Sequence, residues 1–178
     1  MKKTIWITET AVLIALLVIL QSITKPLGQI VTGSCVNGVL AIAVLLVGTA
    51  SGLTVALLSP VFAFVLGIAP NVITVPVIML GNGIFVLLLQ LLNGEKVFRK
   101  VLAVVASAAG KFAVLYGLVS WVICGVASEE LLAQGLLKAP MLKVLPATFS
   151  WPQLVTAIVG GTLAMLCVPV LKKALRTA

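Results

Sequence analysis

The chain has 178 residues, of which 62% are hydrophobic and 9% charged. A soluble globular domain carries roughly 25% charged residues, so this much apolar surface requires a bilayer as its solvent. The formal net charge is +8 and histidine is absent; there is no basic face with interleaved aromatics for nucleic acid, and the commonest metal ligand and general base is missing.

Six apolar segments follow one another, at residues 5–24, 30–47, 52–68, 72–92, 101–126 and 151–171. A membrane-crossing helix needs roughly 20 apolar residues for about 30 Å of hydrocarbon. The runs are too long for strands and lack a period of two, and the alternating pattern of an outer-membrane barrel is missing. The expected fold is an all-α integral membrane protein: one six-helix domain over residues 1–178, with no separate soluble domain. The first segment follows Lys2 and Lys3 as a signal peptide would, but it contains Glu9 and has no small-residue cleavage site. It reads as a retained helix.

Turn formers punctuate the segments. Lys25-Pro26-Leu27-Gly28 closes the first, Gly48 to Gly52 separates the second from the third, Ala69-Pro70-Asn71 follows the third, and Asn93-Gly94-Glu95-Lys96 the fourth. Ser59-Pro60 falls inside the third segment. Proline lacks a backbone donor and clashes with the preceding turn, so a kink or break is expected there. Residues 128–150 form the longest loop, and 128–138 read as a short amphipathic helix at the interface. Cys35, Cys124 and Cys167 lie in apolar runs without CxxC spacing and read as small core residues rather than a disulfide or zinc set.

Orientation follows from the basic residues. With six spans, Lys2, Lys3, Lys96, Arg99, Lys100, Lys172, Lys173 and Arg176 share one side, while Lys25, Lys138 and Lys143 share the other. The positive-inside rule then puts both termini in the cytoplasm. Trp121 and Trp151 fall near the outer boundary and Trp6 near the inner one, as an aromatic belt requires.

The fifth segment contains Lys111 near its middle. At about 1.5 Å per residue it lies roughly 15 Å deep. A charge at that depth costs a few kcal/mol and usually faces a protein interior or a water-filled cavity. Asn82 and Asn37 fall at a similar level. Two readings stand: a polar pocket, or side chains that satisfy one another as glue between helices. All four acidic residues, Glu9, Glu95, Glu129 and Glu130, lie in loops or near a helix end. The lysine therefore lacks an evident counter-ion, which favours a pocket whose ligand supplies the anion; the alternative is a neutral amine. An enzyme finds little support, since neither a Ser/His/Asp set nor paired intramembrane carboxylates exist. Ser107, one turn before Lys111, reads as helix packing. No Walker A motif is present, so energy for uptake would come from a partner or a gradient.

Ala11 and Ala15 are one helical turn apart. Small residues at that spacing let another helix approach closely. Ala157 with Gly161 and Gly160 with Ala164 make similar faces in the last segment.

Together these features resemble the substrate-binding S components of energy-coupling factor (ECF) transporters. The resemblance covers nearly the whole chain. It rests on six segments with both ends inside, on the Ala11–Ala15 pair, and on the runs Val36-Asn37-Gly38-Val39-Leu40, Leu46-Val47-Gly48, Leu58-Ser59-Pro60 and Leu80-Gly81-Asn82. Gly48 is followed by threonine, where Gly-Pro is the more usual spelling. The resemblance implies binding and uptake of a vitamin-like nutrient through a prokaryotic plasma membrane. The implied partners are a transmembrane T subunit and two ATPases. It implies docking through Ala11 and Ala15, and a ligand pocket drawing on Lys111, Asn82, Asn37, Asn71 and the region of Trp151. It implies no cofactor, and a metal cargo fits poorly without histidine. The competing expectations are a structural or pore-forming small membrane protein, such as a holin-like subunit, and a gradient-driven transporter. The latter usually has an internal repeat and more intramembrane acids, neither of which is seen.

Overall fold

A computed structural model describes residues 3–177. Lys2, used in the charge count, lies outside the described residues, as does the side chain of Arg176. The described residues form helices and connections only. They are α1 (Lys3–Thr24), α2 (Gln29–Ile42), α3 (Thr49–Val65), α4 (Thr74–Leu92), α5 (Val97–Gly117), α6 (Ser128–Ala133), α7 (Met141–Thr148) and α8 (Trp151–Thr177). A π-helical turn, Ala43–Val47, extends α2, and a longer one, Leu118–Val126, extends α5. With these extensions, five helices are long and apolar enough to cross a membrane; α3, at 17 residues, is a shorter apolar helix. The protein is an all-helical integral membrane protein.

The helix boundaries differ from the hydropathy boundaries for local reasons. Gly48 has φ of 125°, a conformation that only glycine adopts without strain. It ends the second helix and starts α3 at Thr49 rather than at residue 52. Lys96 is extended ahead of α5, so the helix takes in Arg99 and Lys100 before its apolar run begins. Pro60 does not break α3, which runs unbroken to Val65. The expected amphipathic helix at 128–138 stops at Ala133, and Gly135, with φ of 69°, turns the chain. A second short helix, α7, follows within the stretch expected to be loop.

Two apolar cores stabilise the bundle. The larger draws on α1 to α5 and α8, with Leu17, Leu40, Val55, Phe85, Leu89 and Ala157 fully enclosed. The smaller lies under α6 and α7, where Leu137, Leu145 and Phe149 cover Leu115, Val119 and Ile123. Helices α2 and α8 pack backbone to backbone. A Cβ on Gly160 would collide with the Ser34 carbonyl and the Gly38 amide, so the small faces of α8 serve packing within the chain. Ala157, Gly160, Gly161 and Ala164 are all buried. Cys167, by contrast, is exposed rather than core.

Three ties gather the connections at one end of the bundle. Lys25 Nζ donates to the Leu66 carbonyl at 2.7 Å, Gln29 Nε2 to the Thr148 carbonyl at 2.7 Å, and Asn71 Nδ2 to the Leu136 carbonyl at 2.7 Å. This loop end carries the mouth of a cavity.

Candidate ligand-binding site

A cavity of about 440 Å³ runs from the loop end into the bundle. Its rim includes Lys25, Gln29, Pro70, Thr148, Phe149 and Gln153. Its inner wall includes Gln21, Asn37, Ser59, Pro60, Asn82 and Lys111. Apolar side chains such as Val36, Ala63 and Ile78 fill much of the lining, and no carboxylate is among the lining residues. Pockets of roughly 300–1,000 Å³, largely apolar with a few convergent polar groups, are the usual form of small-molecule sites.

Lys111 is 3% exposed, and Asn37 and Asn82 are each 1% exposed. Lys111 Nζ donates to Asn37 Oδ1 at 2.6 Å and to Asn82 Oδ1 at 2.7 Å. The Phe85 ring centroid lies 5.8 Å from Nζ, within cation–π range. An ammonium has three N–H donors. Two are used here, both on neutral amide oxygens, so a charged Lys111 meets no opposite charge among the lining residues. The side chains do bind one another, and they do so on the wall of a cavity.

Each asparagine is oriented by a further partner. Asn37 Nδ2 donates to Gly33 O on its own helix at 2.9 Å and to Thr156 Oγ1 on α8 at 3.3 Å. Thr156 Oγ1 donates in turn to the Gln153 carbonyl at 3.1 Å. Asn82 Nδ2 donates to the Ala56 carbonyl of α3 at 3.4 Å. Ala56 is four residues before Pro60, whose missing N–H leaves that carbonyl without its helical donor. Membrane helices tolerate proline when a neighbouring helix supplies the lost bond. Here α4 supplies it through Asn82, and turning the amide nitrogen toward α3 leaves the oxygen for Lys111. The predicted kink site thus serves the cavity wall.

Asn71 and Trp151 are not brought to this cluster. Asn71 ties the α3–α4 connection to the α6–α7 connection, and its Oδ1 accepts from Ile73 N at 3.0 Å. Trp151 starts α8 and is 64% exposed. Thr148 and Phe149, just before it, do line the cavity. Ser107 Oγ donates to Ala103 O on its own helix, as packing requires. Sequence reasoning missed Gln21, Thr156 and Gln153. The available signal was their polarity inside or beside apolar runs. Ala11 and Ala15 are both exposed, on the outer side of α1 with Val12 and Leu16.

The fold and site define a class, a helical membrane protein with a ligand-sized cavity closed by buried polar groups. The family model described as "ECF transporter, substrate-specific component" matches residues 6–172, nearly the whole chain. The chain belongs to that family, and so is a substrate-specific uptake component. Comparison with curated proteins and with solved structures returned no match.

Proposed function

We propose that the protein binds, with high affinity, a small vitamin-like nutrient bearing a carboxylate or similar anionic group, and delivers it across a prokaryotic plasma membrane. The ligand occupies the loop-end cavity, with its anion against Lys111 and with Asn37 and Asn82 beside it. One observation carries this reading: a buried lysine amine on the wall of a cavity whose lining holds no carboxylate. A charge so placed is costly in a bilayer, and an anionic ligand supplies the partner that the wall lacks.

On this reading the chain crosses the membrane six times with both termini in the cytoplasm, and the cavity opens outside. Transport energy comes from two ATPases coupled through a T subunit, which docks on Ala11 and Ala15. The exposure of that small-residue pair on α1 supports the docking assignment.

Binding and docking are separable by experiment. Lys111→Ala protein should lose the small molecule that wild type carries, and Lys111→Arg should hold it more weakly. Unchanged retention in both removes Lys111 from the site. Ala11→Trp with Ala15→Trp should abolish uptake and co-purification with the ATPase pair while leaving ligand retention intact. Wild-type uptake in that double variant contradicts the docking face, and homo-oligomeric pores without ATPases favour a structural protein instead.

A further inference from the structure

Gln21 is a polar side chain in the last turn of α1, 2% exposed, on the wall of the same cavity. Its Nε2 donates to the Ser59 carbonyl at 3.4 Å, a long bond. Its Oε1 is buried and has no hydrogen-bond partner among the described residues. The neighbouring carbonyl can only accept, so the amide nitrogen must face α3 and the oxygen is the orphan. A buried acceptor without a donor costs about 1–3 kcal/mol. Such orphans are rare in native proteins and call for a specific cause. Asn37 and Asn82 lie on the same wall, and their amide oxygens are both taken by Lys111. Gln21 is the exception.

We infer that Gln21 is a second polar anchor for the ligand, whose amide oxygen accepts an N–H or O–H from a bound molecule. This inference rests on the reading of the Lys111 cavity as the ligand site. It narrows the ligand to an anion that also carries a hydrogen-bond donor, such as a hydroxyl, amine or amide, on a compact and largely apolar body. Oε1 is itself enclosed; a turn of the last torsion, which is broad in glutamine, presents it to the cavity and gives up the long bond to Ser59. Lys111 selects for charge, and Gln21 selects against anions that lack the donor. A site built to hydrogen-bond a substrate group rejects analogues without it, because its own polar atom is then left unpaired.

The test uses wild-type, Gln21→Leu and Lys111→Ala proteins purified alike from membranes. The small molecule released from wild type by denaturation is identified by mass spectrometry and then serves as the probe in direct binding measurements. The compound should carry both an anionic group and an N–H or O–H donor. Gln21→Leu should bind it about tenfold more weakly, the factor a single hydrogen bond supplies. The ligand-stripped proteins give a second readout. Removing an orphaned acceptor should raise the unfolding temperature of stripped Gln21→Leu, whereas a purely structural role for Gln21 lowers it. A lower unfolding temperature, a released compound without a donor, or wild-type affinity in Gln21→Leu overturns the inference. If Lys111→Ala loses the compound while Gln21→Leu holds it fully, only Gln21 leaves the site. If both hold it fully, the reading of the cavity falls as well.

Discussion

Two cavities of similar size open in the same bundle. The loop-end cavity measures about 440 Å³; a second, between α5 and α8, measures about 510 Å³. The second is lined by Val101, Val104, Ile158, Met165 and Leu166, with Lys100 and Thr162 as its polar members. Its wall is the kind of surface that lipid chains cover, and its polar residues are not fully buried. The first joins polar atoms from α2, α3, α4, α5 and α8 in one network around the buried Lys111 amine. Volume therefore does not single out a site here. Membrane helices leave grooves wherever their side chains mismatch. What separates the first cavity is a buried lysine amine held by amide oxygens from two other helices, a group that is costly in a bilayer if charged.

If that contrast is real, substitutions in the two cavities must behave differently. The largest effect is expected from Lys111→Ala. Hydrogen bonds to charged groups contribute about 1.5–3 kcal/mol, so binding should weaken about 10- to 150-fold, read by equilibrium binding of the molecule that wild type carries. Next comes Asn82→Ala. It removes one acceptor from the Lys111 ammonium and uncovers the Ala56 carbonyl, so both stability and binding should fall, by about 1–3 kcal/mol in a thermal or denaturant unfolding measurement. Pro60→Ala sharpens the comparison further. Alanine restores an N–H that competes with Asn82 for the Ala56 carbonyl. Binding should fall about tenfold, the worth of one hydrogen bond, while the unfolding temperature holds or rises. A matched fall in both would make Pro60 merely structural. The smallest effect belongs to the second cavity. Thr162→Val there should leave binding and uptake near wild type, and a loss comparable to that of Lys111→Ala would erase the distinction between the cavities.

Much of this was legible before any coordinates. Lys111 interrupts a long apolar run, and a fixed rise per residue sets its depth beside Asn37 and Asn82. Those three residues do meet. Their level could be read because depth depends on one helix at a time. What could not be read depends on how helices face each other. Pro60 supports Asn82 only because α4 lies against α3 at Ala56, and Thr156 reaches Asn37 only because Gly160 lets α8 close on α2. Gln21 was visible as a polar residue in an apolar helix, but its missing partner is a fact of three dimensions. Hydropathy also misplaced α3 by a few residues, since it responds to apolar content and not to the left-handed turn at Gly48. It passed over α7, whose buried Leu145 acts through a small cap rather than a long apolar stretch.

The most direct measurement is the small-molecule content of wild-type and Lys111→Met protein, each purified from membranes and analysed by mass spectrometry after denaturation. Methionine keeps most of the side-chain volume and removes the charge. The account predicts an acidic compound released from wild type and reduced about tenfold or more in the variant, with any ATPase module that co-purifies with wild type also co-purifying with the variant. An acidic compound held equally by both proteins, or a bound compound with no anionic group, would contradict it.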